Sequence, residues 1–366
     1  MGIYFPKIEF APLVYGYANA RAHAMFSKLI TSQQIAELIR MPSVDTIIET
    51  LNRTEYRQEI LDLSLSYKGE QLIDFALSNN FAKFCNKIYQ FTPKKDKKII
   101  FALLSKWDSH NLKLIISAKR HNYTWNQIRP HIVLAGSLQL KELEELFTSQ
   151  NSEEFYSKLK ITEFGKGFLS SKVPFITQPL KQAFKVMDSD LFIFDMMLLS
   201  LDFYQFIILQ QVIEQAKKEK QLSAFLSSFA DEKNLQIVLR LAKEDLDLNQ
   251  IRQYLLPSGN IPISRWLKAI AKKDTFAILS SFLGLLPVGL AIEEYKKSKN
   301  LSDIEKLISV EFAKKRLKVF RGANLSLAVL VAALFFKEQE VDNIRKILRA
   351  KQYGFAESEV EQLIVL

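Results

Sequence analysis

Apolar residues recur along most of the chain at the three- and four-residue spacing of a buried helical face. In the segment DSHNLKLIISAK, for example, Leu112, Ile115 and Ile116 fall on one stripe, with polar residues between them. Such spacing predicts amphipathic helices. Glycine is scarce, at 11 of 366 residues, which disfavours turn-rich β folds and glycine-loop nucleotide folds. The pattern therefore predicts an all-α protein.

One helical pattern is written three times, at 108–138, 231–261 and 340–366. The first two copies align without a gap, and the third shares fewer positions with them. Each copy has an asparagine at its fourth position, namely Asn111, Asn234 and Asn343, followed by an apolar stripe. Repetition at a fixed period is the signature of a repeated structural unit. We interpret each copy as a helix, a tight turn and a second helix.

The turn of each copy carries a residue suited to left-handed backbone. The three residues at this position are Asn122, Asp245 and Gly354. Glycine, asparagine and aspartate are the residue types that best tolerate the conformation ending many helices. Because three different residues serve one backbone role, the repeat is better supported than by identities alone.

The second helix of two copies begins with the spacing of a capping box. Thr124 is followed by Gln127, and Asp247 is followed by Gln250. In this arrangement each side chain accepts a hydrogen bond from a free backbone N–H of the other. The third copy has Ala356 at the cap, so we expect the first turn of its second helix to be less stable.

A second pattern interleaves with the first, at 31–56, 139–164 and, faintly, 263–285. Its clearest part is LNRTEY at residues 51–56, matched by LKITEF at residues 159–164. The chain therefore begins inside one unit and ends inside another, as expected of a ring of three units. We predict a single chain, 1–366, of three related helical subdomains with pseudo-threefold arrangement. The alternative is an irregular helical bundle with chance matches.

Composition and charge narrow the class of protein. Apolar residues make up 48% and charged residues 25% of the chain, which excludes a disordered or collagen-like chain and a polytopic membrane protein. Cys85 is the one cysteine, so there is no disulfide framework, and a reducing compartment is indicated. The apolar stretches 191–213 and 325–336 are interrupted or too short for a bilayer, so we expect buried helices. The N-terminal segment does not resemble a signal peptide.

The sequence carries no strong catalytic signal. Phosphate-loop, nucleophile-elbow and HExxH patterns are missing. Gly165-Lys166-Gly167 is a bare GxG, which we predict to be a loop. His110 and His121 lie too far apart for a helical metal pair. We therefore predict no catalytic residue, no cofactor and no metal site.

The balance of 50 Lys and Arg against 40 Asp and Glu leaves a formal net charge of +10. Most basic pairs have acidic neighbours, which favours ordinary solvated helix faces. The alternative is a face that steers an acidic partner. The densest basic segment is the best candidate for such a partner contact, and its residues are Lys314, Lys315, Arg316, Lys318 and Arg321.

The motifs, taken together and in order, resemble a known family. They are YGYANAR at 15–21, LNRTEY at 51–56, the helix 108–119 and EVDNIRKILRAKQYG at 340–354. Jointly they are similar to the C subunit of archaeal and bacterial V/A-type rotary ATPases and to the d subunit of the eukaryotic vacuolar enzyme. Residues 60–100 and 165–225 contribute least to the likeness, and Leu241-Ala242 departs from the Ala-Lys of the outer copies.

The resemblance implies a mechanical role without chemistry of its own. Members of this family are funnel-shaped, bind the D and F subunits of the central stalk, and sit on the cytoplasmic face of the membrane ring of proteolipid subunits. It implies a peripheral protein that couples the stalk to the ring, with no nucleic acid and no small-molecule substrate.

Four N-terminal residues are a further candidate for partner contact, namely Tyr15, Tyr17, Asn19 and Arg21. Aromatic and arginine side chains are enriched at interfaces, but the same residues could pack the first helix onto its own domain. Two other functions stay open at this point: a basic helical-repeat scaffold that binds nucleic acid or another protein, and an enzyme with a site in a helical cavity.

Overall fold

The computed structural model describes residues 11–171, 191–217, 219–242, 247–319 and 325–365, and most of them are helical. Within these ranges the only β pairing is an isolated bridge between Leu283 and Leu286. The predicted all-α class is confirmed. The α-helices run over Ala11–Phe26, Ser32–Arg40, Val44–Leu51, Arg57–Leu63, Gly69–Phe91, Lys97–Leu104, Lys106–Arg120, Trp125–Ile128, Leu140–Phe147, Ser152–Ile161, Glu163–Ser170, Leu191–Ala216, Lys220–Leu241, Leu248–Tyr254, Ile263–Ile270, Thr275–Ser281, Gly289–Ser298, Leu301–Val319, Leu327–Tyr353 and Glu357–Leu363.

The chain divides into two compact units. Unit 1 comprises Met1–Ile30 with Met41–Leu209, and unit 2 comprises Thr31–Arg40 with Gln210–Leu366. The first copy of the repeat lies in unit 1, and the other two lie in unit 2. The two units therefore do not coincide with three subdomains, and the threefold division stays a prediction.

Each unit buries the apolar stripes that the sequence predicts. In unit 1, Leu112, Ile115 and Ile116 belong to one continuous apolar cluster. In unit 2, Leu235 and Val238 belong to another. Burial of such side chains is the main stabilising contribution to a helical fold. Among the described helices, none has the length and apolarity needed to cross a membrane.

The first hairpin follows the predicted helix, turn and second helix. Lys106–Arg120 is followed by Asn122 with φ of 56° and then by the short helix Trp125–Ile128. The backbone N–H of Thr124 donates to Gln127 Oε1 at 2.7 Å, and the Thr124 hydroxyl donates to the same oxygen at 2.9 Å, so the glutamine half of the predicted capping box is confirmed. Pro130 then lies in a 3₁₀ turn, where the second helix has ended.

A buried asparagine closes this hairpin. Asn111 Nδ2 donates to the Val133 carbonyl at 2.8 Å, and the Val133 N–H donates to Asn111 Oδ1 at 2.9 Å. We call this pair of bonds the asparagine clamp. It satisfies both polar groups of one buried peptide segment, which would otherwise be left without partners at a large cost.

The same clamp recurs in the other two copies. Asn234 exchanges both bonds with Leu256 at 2.9 and 2.7 Å. Asn343 exchanges both bonds with Val365 at 2.7 and 3.1 Å. In every copy the partner residue lies 22 positions after the asparagine. The three asparagines therefore perform one structural task.

A buried aspartate adds a second clamp in the first two copies. Asp108 accepts bonds from the Ser137 N–H at 2.9 Å, the Leu138 N–H at 2.8 Å and the Ser137 hydroxyl at 3.0 Å. Gly136 makes room for this carboxylate, since a Cβ there would lie 2.2 Å from Asp108 Oδ1. We call this arrangement the aspartate clamp.

The second copy builds the aspartate clamp in the same way. Asp231 accepts bonds from the N–H groups of Asn260 and Ile261 at 2.9 and 3.1 Å. A Cβ at Gly259 would lie 2.2 Å from its Oδ1. The turn residue Asp245 lies outside the described residues. Asp247 caps the helix that follows, because its Oδ1 accepts a bond from the Asn249 N–H at 2.7 Å.

The third hairpin departs from the other two. Its turn is Gly354 with φ of 70°, as predicted. Position 340 is a glutamate, and Glu340 accepts a bond from Lys337 at 2.7 Å with both side chains buried. At the second helix the Ala356 N–H donates to Glu359 Oε2 at 3.0 Å. Ala356 has no side-chain oxygen, so half of the capping box is missing.

One prediction is wrong. Gly165 and Gly167 lie within the helix Glu163–Ser170, not in a loop. Thr162 starts this helix, because its hydroxyl accepts a bond from the Gly165 N–H at 3.0 Å. A Cβ at Gly165 would lie 1.8 Å from the Leu159 carbonyl oxygen. The glycine therefore allows close approach of two backbone segments and does not form a ligand loop.

Candidate partner-contact surfaces

The first helix divides its four candidate residues between two faces. Tyr15 and Asn19 are buried, and the Tyr15 hydroxyl donates to Asp96 at 2.8 Å. Tyr17 is 68% exposed, and Arg21 is also exposed. Residues four apart share a helical face, whereas residues two apart do not. Of the four, only Tyr17 and Arg21 are available to a partner.

Tyr17 and Arg21 lie one turn apart and contact each other. The Arg21 guanidinium carbon is 5.9 Å from the centroid of the Tyr17 ring and 5.9 Å from that of Phe91. Stacking on two aromatic rings orients the guanidinium at the surface of unit 1. The resulting surface is suited to bind a carboxylate or another aromatic ring.

The residues of the basic segment in unit 2 also differ in their exposure. Lys315 and Lys318 are exposed, Lys314 is half-buried, and Arg316 is 4% exposed. Arg321 lies outside the described residues. The lysines offer positive charge at the surface of unit 2, and Arg316 has a different task.

Arg316 is held inside unit 2 by three kinds of contact. Its guanidinium pairs with the Glu232 carboxylate, donates to Ser228 Oγ at 2.8 Å, and lies 3.6 Å from the centroid of the Phe229 ring. Burial lowers the pKa of Arg316 from its usual value, while Glu232 opposes that shift. A buried pair of this kind costs several kcal/mol to break on one side only. The arginine therefore anchors Leu301–Val319 against Lys220–Leu241.

A cleft of about 600 Å³ lies beside this ion pair in unit 2. Its walls carry both signs of charge, from Glu232, Glu305, Glu338, Asp342, Lys233, Lys306, Arg316 and Lys346. Two of these carboxylates accept hydrogen bonds from neighbouring side chains. Arg240 holds Glu305 with two bonds at 2.7 and 2.8 Å, and Ser309 donates to Glu232 at 2.7 Å. The cleft can accommodate a polar segment. Hydrogen bonds and ion pairs among its own side chains hold its walls in place.

The hairpin tips carry exposed aromatic residues that the sequence pattern did not single out. Tyr123 follows the left-handed Asn122, and Phe355 follows the left-handed Gly354; both rings are more than half exposed. Their N–H groups make equivalent bonds, to Ala118 at 2.9 Å and to a carbonyl five residues back at 3.0 Å. In the sequence, the signal for these exposed tips is an aromatic residue directly after the position predicted to be left-handed. Exposed aromatic side chains at matching positions are suited to partner contact.

The described residues contain no group of three or more His, Cys, Asp or Glu side chains able to hold a metal ion. Cys85 is buried on the helix Gly69–Phe91, in agreement with its apolar surroundings in the sequence. His110 Nε2 lies 3.3 Å from the His131 carbonyl. Cys85 therefore belongs to the core, and the His110 ring contacts the backbone.

Comparison with known proteins gives one consistent result. A family model described as "ATP synthase (C/AC39) subunit" matches residues 18–363. The chain is 24% identical to the C subunit of the A-type ATP synthase of Methanocaldococcus jannaschii, over 98% of this chain and 87% of the relative. It is 25% identical to the proteins of the same name from Haloferax volcanii, over 96% and 97%, and from Archaeoglobus fulgidus, over 96% of each.

Proposed function

Because the chain belongs to the ATP synthase (C/AC39) subunit family, we propose that it is the non-catalytic socket that joins the rotor shaft of a rotary ATPase to the membrane ring. Its partners would be the D and F subunits of the central stalk on one side and the proteolipid ring on the other. It would sit at the cytoplasmic face of the membrane as a peripheral component. The same coupling serves ATP-driven ion transport and ATP synthesis.

The asparagine clamp is the observation that best supports this role. A protein that passes torque must not shear, and each hairpin is closed by two bonds between residues 22 positions apart. Buried bonds of this kind oppose sliding of the two arms, because sliding would leave a buried N–H and a buried carbonyl without partners. The apolar cluster in each unit adds resistance to deformation.

The surfaces available for partners are polar, aromatic and basic. Tyr17 with Arg21 in unit 1, and Lys318 in unit 2, would meet acidic or aromatic groups of the stalk or ring. The exposed tips at Tyr123 and Phe355 are further candidates. The pseudo-threefold relation among the three hairpins stays a prediction, which an experimental structure of the assembled enzyme would test.

The proposal is tested by purifying a tagged chain from its own host. We expect it to bring down stalk, ring and nucleotide-binding subunits of a rotary ATPase. Membranes that lack the chain should hydrolyse ATP without accumulating ions, since the head and ring would turn independently. Recovery of unrelated proteins only, or undiminished ATP-driven ion uptake without the chain, would contradict the proposal.

A matched pair of variants locates the contact on the first helix. Tyr17→Ala with Arg21→Ala removes an exposed pair, and we expect weaker retention of partner subunits. Arg40→Ala with Arg53→Ala removes two other basic side chains as a control. Equal loss of partners in both variants would show that general charge, and not this surface, holds the complex.

A further inference from the structure

Unit 2 carries a short apolar loop that is exposed. The segment, FLGLLPVGL at residues 282–290, consists of the loop 282–288 after Thr275–Ser281 and the first two residues of Gly289–Ser298. Leu283 is 62% exposed, Leu285 is 39% exposed and Leu290 is 48% exposed. Phe276, on the helix before the loop, is 39% exposed. We call these four residues the leucine surface. Apolar side chains grouped in this way mark contact sites more often than isolated ones do.

The loop is held in place from beneath. Phe282, Leu286 and Val288 are buried in the apolar cluster of unit 2, and the Phe282 ring lies 4.3 Å from the Trp266 ring between centroids. The N–H groups of Leu285 and Leu286 both donate to the Phe282 carbonyl, at 3.0 and 2.9 Å. The leucine side chains are therefore fixed in an outward position by a built turn.

The loop also projects from its surroundings. Gly284 has φ of +81°, which a side chain would strain, and a Cβ placed there would meet nothing within 4 Å. A Cβ at Gly289 would likewise meet nothing within 4 Å. Both glycines of the turn therefore face open space, and nothing packs over the backbone at these two positions.

Three lysines place their ammonium groups beside the leucine surface. Lys315 donates to the Leu285 carbonyl at 3.2 Å, and Lys272 donates to Ser281 Oγ at 2.7 Å. Lys296 lies 5.6 Å from the centroid of the Phe276 ring. Residues 263–299 contain seven Lys and Arg against three Asp and Glu.

The acidic groups near the loop are partly committed to backbone. Asp274 accepts a bond from the Ala277 N–H at 2.7 Å and so caps its own helix. Glu311 accepts bonds from the N–H groups of Leu290 and Ala291, and burial raises its pKa above the usual value. Glu293 is exposed near Leu290. The seven Lys and Arg of residues 263–299, together with Lys315, outnumber these acidic groups, so the surroundings of the loop are net positive.

We propose that the leucine surface inserts into the headgroup region of an anionic lipid membrane, with Lys272, Lys296 and Lys315 bound to lipid phosphates. Membrane-surface binding of this kind requires buried apolar area together with attraction to anionic lipids, and the loop supplies both. An exposed apolar turn that is fixed from beneath and has lysines beside it suits a fluid surface, which needs no complementary pocket. The inference rests on the proposed function only in expecting this chain at a membrane.

Vesicle co-sedimentation with the full chain tests the proposal. We expect binding to vesicles of phosphatidylglycerol mixed with phosphatidylcholine and little binding to phosphatidylcholine alone. Binding should weaken as salt is raised, because ions screen the lysine charges. No binding to the anionic vesicles above background would overturn the proposal.

Paired variants distinguish vesicle binding through the leucine surface from nonspecific apolar adsorption. Leu283→Ser with Leu285→Ser should weaken binding to anionic vesicles about tenfold or more, since two side chains leave the apolar layer. Leu61→Ser with Leu65→Ser is the control, because those exposed leucines of unit 1 lie outside the leucine surface and should not change binding. Lys272→Gln with Lys315→Gln should weaken binding several-fold on anionic vesicles only.

The outcomes for lipid binding and for rotary-complex membership are distinguishable. Unaltered vesicle binding by Leu283→Ser with Leu285→Ser overturns the leucine surface and leaves co-purification with the ATPase untouched. Vesicle binding without co-purification contradicts the proposed function and keeps the leucine surface. If the wild-type chain binds no vesicles but the leucine variant loses the membrane ring in co-purification, the surface is a protein contact and the lipid proposal is overturned.

Discussion

The first and second hairpins use the same two clamps in different electrostatic surroundings. Asp108 and Asp231 both accept two backbone N–H bonds and one side-chain bond, and a glycine makes room for each carboxylate. Burial raises the pKa of Asp108 to about 6, with repulsion from Glu142 adding to the shift. Burial also raises the pKa of Asp231, but attraction to Lys315 opposes that rise. The two hairpins therefore share the geometry of the clamp and the burial that raises the pKa of its carboxyl group, while neighbouring charges modify that rise in opposite directions.

The third hairpin shows which of the two clamps is shared by all three copies. It keeps the asparagine clamp through Asn343 but has Glu340 paired with Lys337 where the others have an aspartate clamp. The asparagine clamp is thus the shared element of the three copies. Four sets of substitutions test this comparison, in order of decreasing expected effect.

The largest effect should come from the glycines behind the aspartates. Gly136→Ala would place a Cβ 2.2 Å from Oδ1 and 2.4 Å from Cγ of Asp108, so the carboxylate must leave its three donors. We expect a loss of about 3–4 kcal/mol in the free energy of unfolding, measured by urea denaturation. Gly259→Ala should cost less, because its Cβ would lie 3.1 Å from Cγ of Asp231.

Gly16→Ala is the control for this substitution. A Cβ at Gly16 meets nothing within 4 Å in the helix Ala11–Phe26, so the change should be neutral or stabilise by up to about 1 kcal/mol. Equal costs at residues 136 and 16 would show that the aspartate clamp does not need its glycine.

The asparagine clamps should each contribute a similar amount. Asn111→Ala, Asn234→Ala and Asn343→Ala each leave an N–H and a carbonyl without partners, at the buried Val133 and Val365 and at the half-buried Leu256, which we expect to cost about 2–3 kcal/mol. Thermal unfolding followed by circular dichroism would measure the series. Asn249→Ala, at an exposed position, should change stability by less than about 0.5 kcal/mol. A negligible cost at residue 343 alone would break the equivalence of the third copy.

The pH dependence of stability should distinguish the two aspartates. The pKa of Asp108 is raised in the folded chain from 3.8 to about 6, so its protonated form is favoured by folding. Its contribution is fully present below pH 3.8 and is lost as the pH rises through about 6, a change of about 3 kcal/mol.

The difference in unfolding free energy between wild type and Asp108→Asn isolates this contribution. It should shift against the wild type between about pH 4 and pH 7, and Asp231→Asn should show a smaller shift of the same sign. A difference that moves the other way would mean that the donors, and not burial, control the Asp108 carboxyl.

The smallest effect should come from the caps. Ala356→Ser supplies the oxygen that the third hairpin lacks, and we expect it to stabilise the chain by about 0.5–1 kcal/mol. Thr124→Ala removes the corresponding group from the first hairpin and should destabilise it by about 1 kcal/mol. Differential scanning calorimetry would detect both shifts. Loss of stability on Ala356→Ser would contradict the assignment of residue 356 as the cap.

Local features of the hairpins could be predicted from sequence because they depend on neighbours in the chain. The apolar stripes, the left-handed Asn122 and Gly354, and the box of Thr124 with Gln127 all follow from spacing and residue type. The recurrence of Asn111, Asn234 and Asn343 was visible too. Their bonds were not, because each partner lies 22 residues away on the other arm.

Features that depend on distant packing were missed or assigned in part. Gly165 admits a backbone carbonyl from the preceding helix, which a GxG pattern does not reveal. Arg316 was grouped with exposed lysines, although an ion pair and two aromatic rings bury it. Tyr15 and Asn19 face inward while Tyr17 and Arg21 face outward, a division set by which side of the first helix meets its unit.

Amide hydrogen exchange on the native full chain tests most directly whether the three hairpins are stiff. The N–H groups of Val133, Leu256 and Val365 each donate to a clamp asparagine. We predict that all three exchange among the slowest amides of their units, and that Asn111→Ala accelerates exchange at Val133 while leaving Leu256 and Val365 unchanged. Exchange at any of the three at the rate of an unprotected peptide amide would contradict a socket built from clamped hairpins.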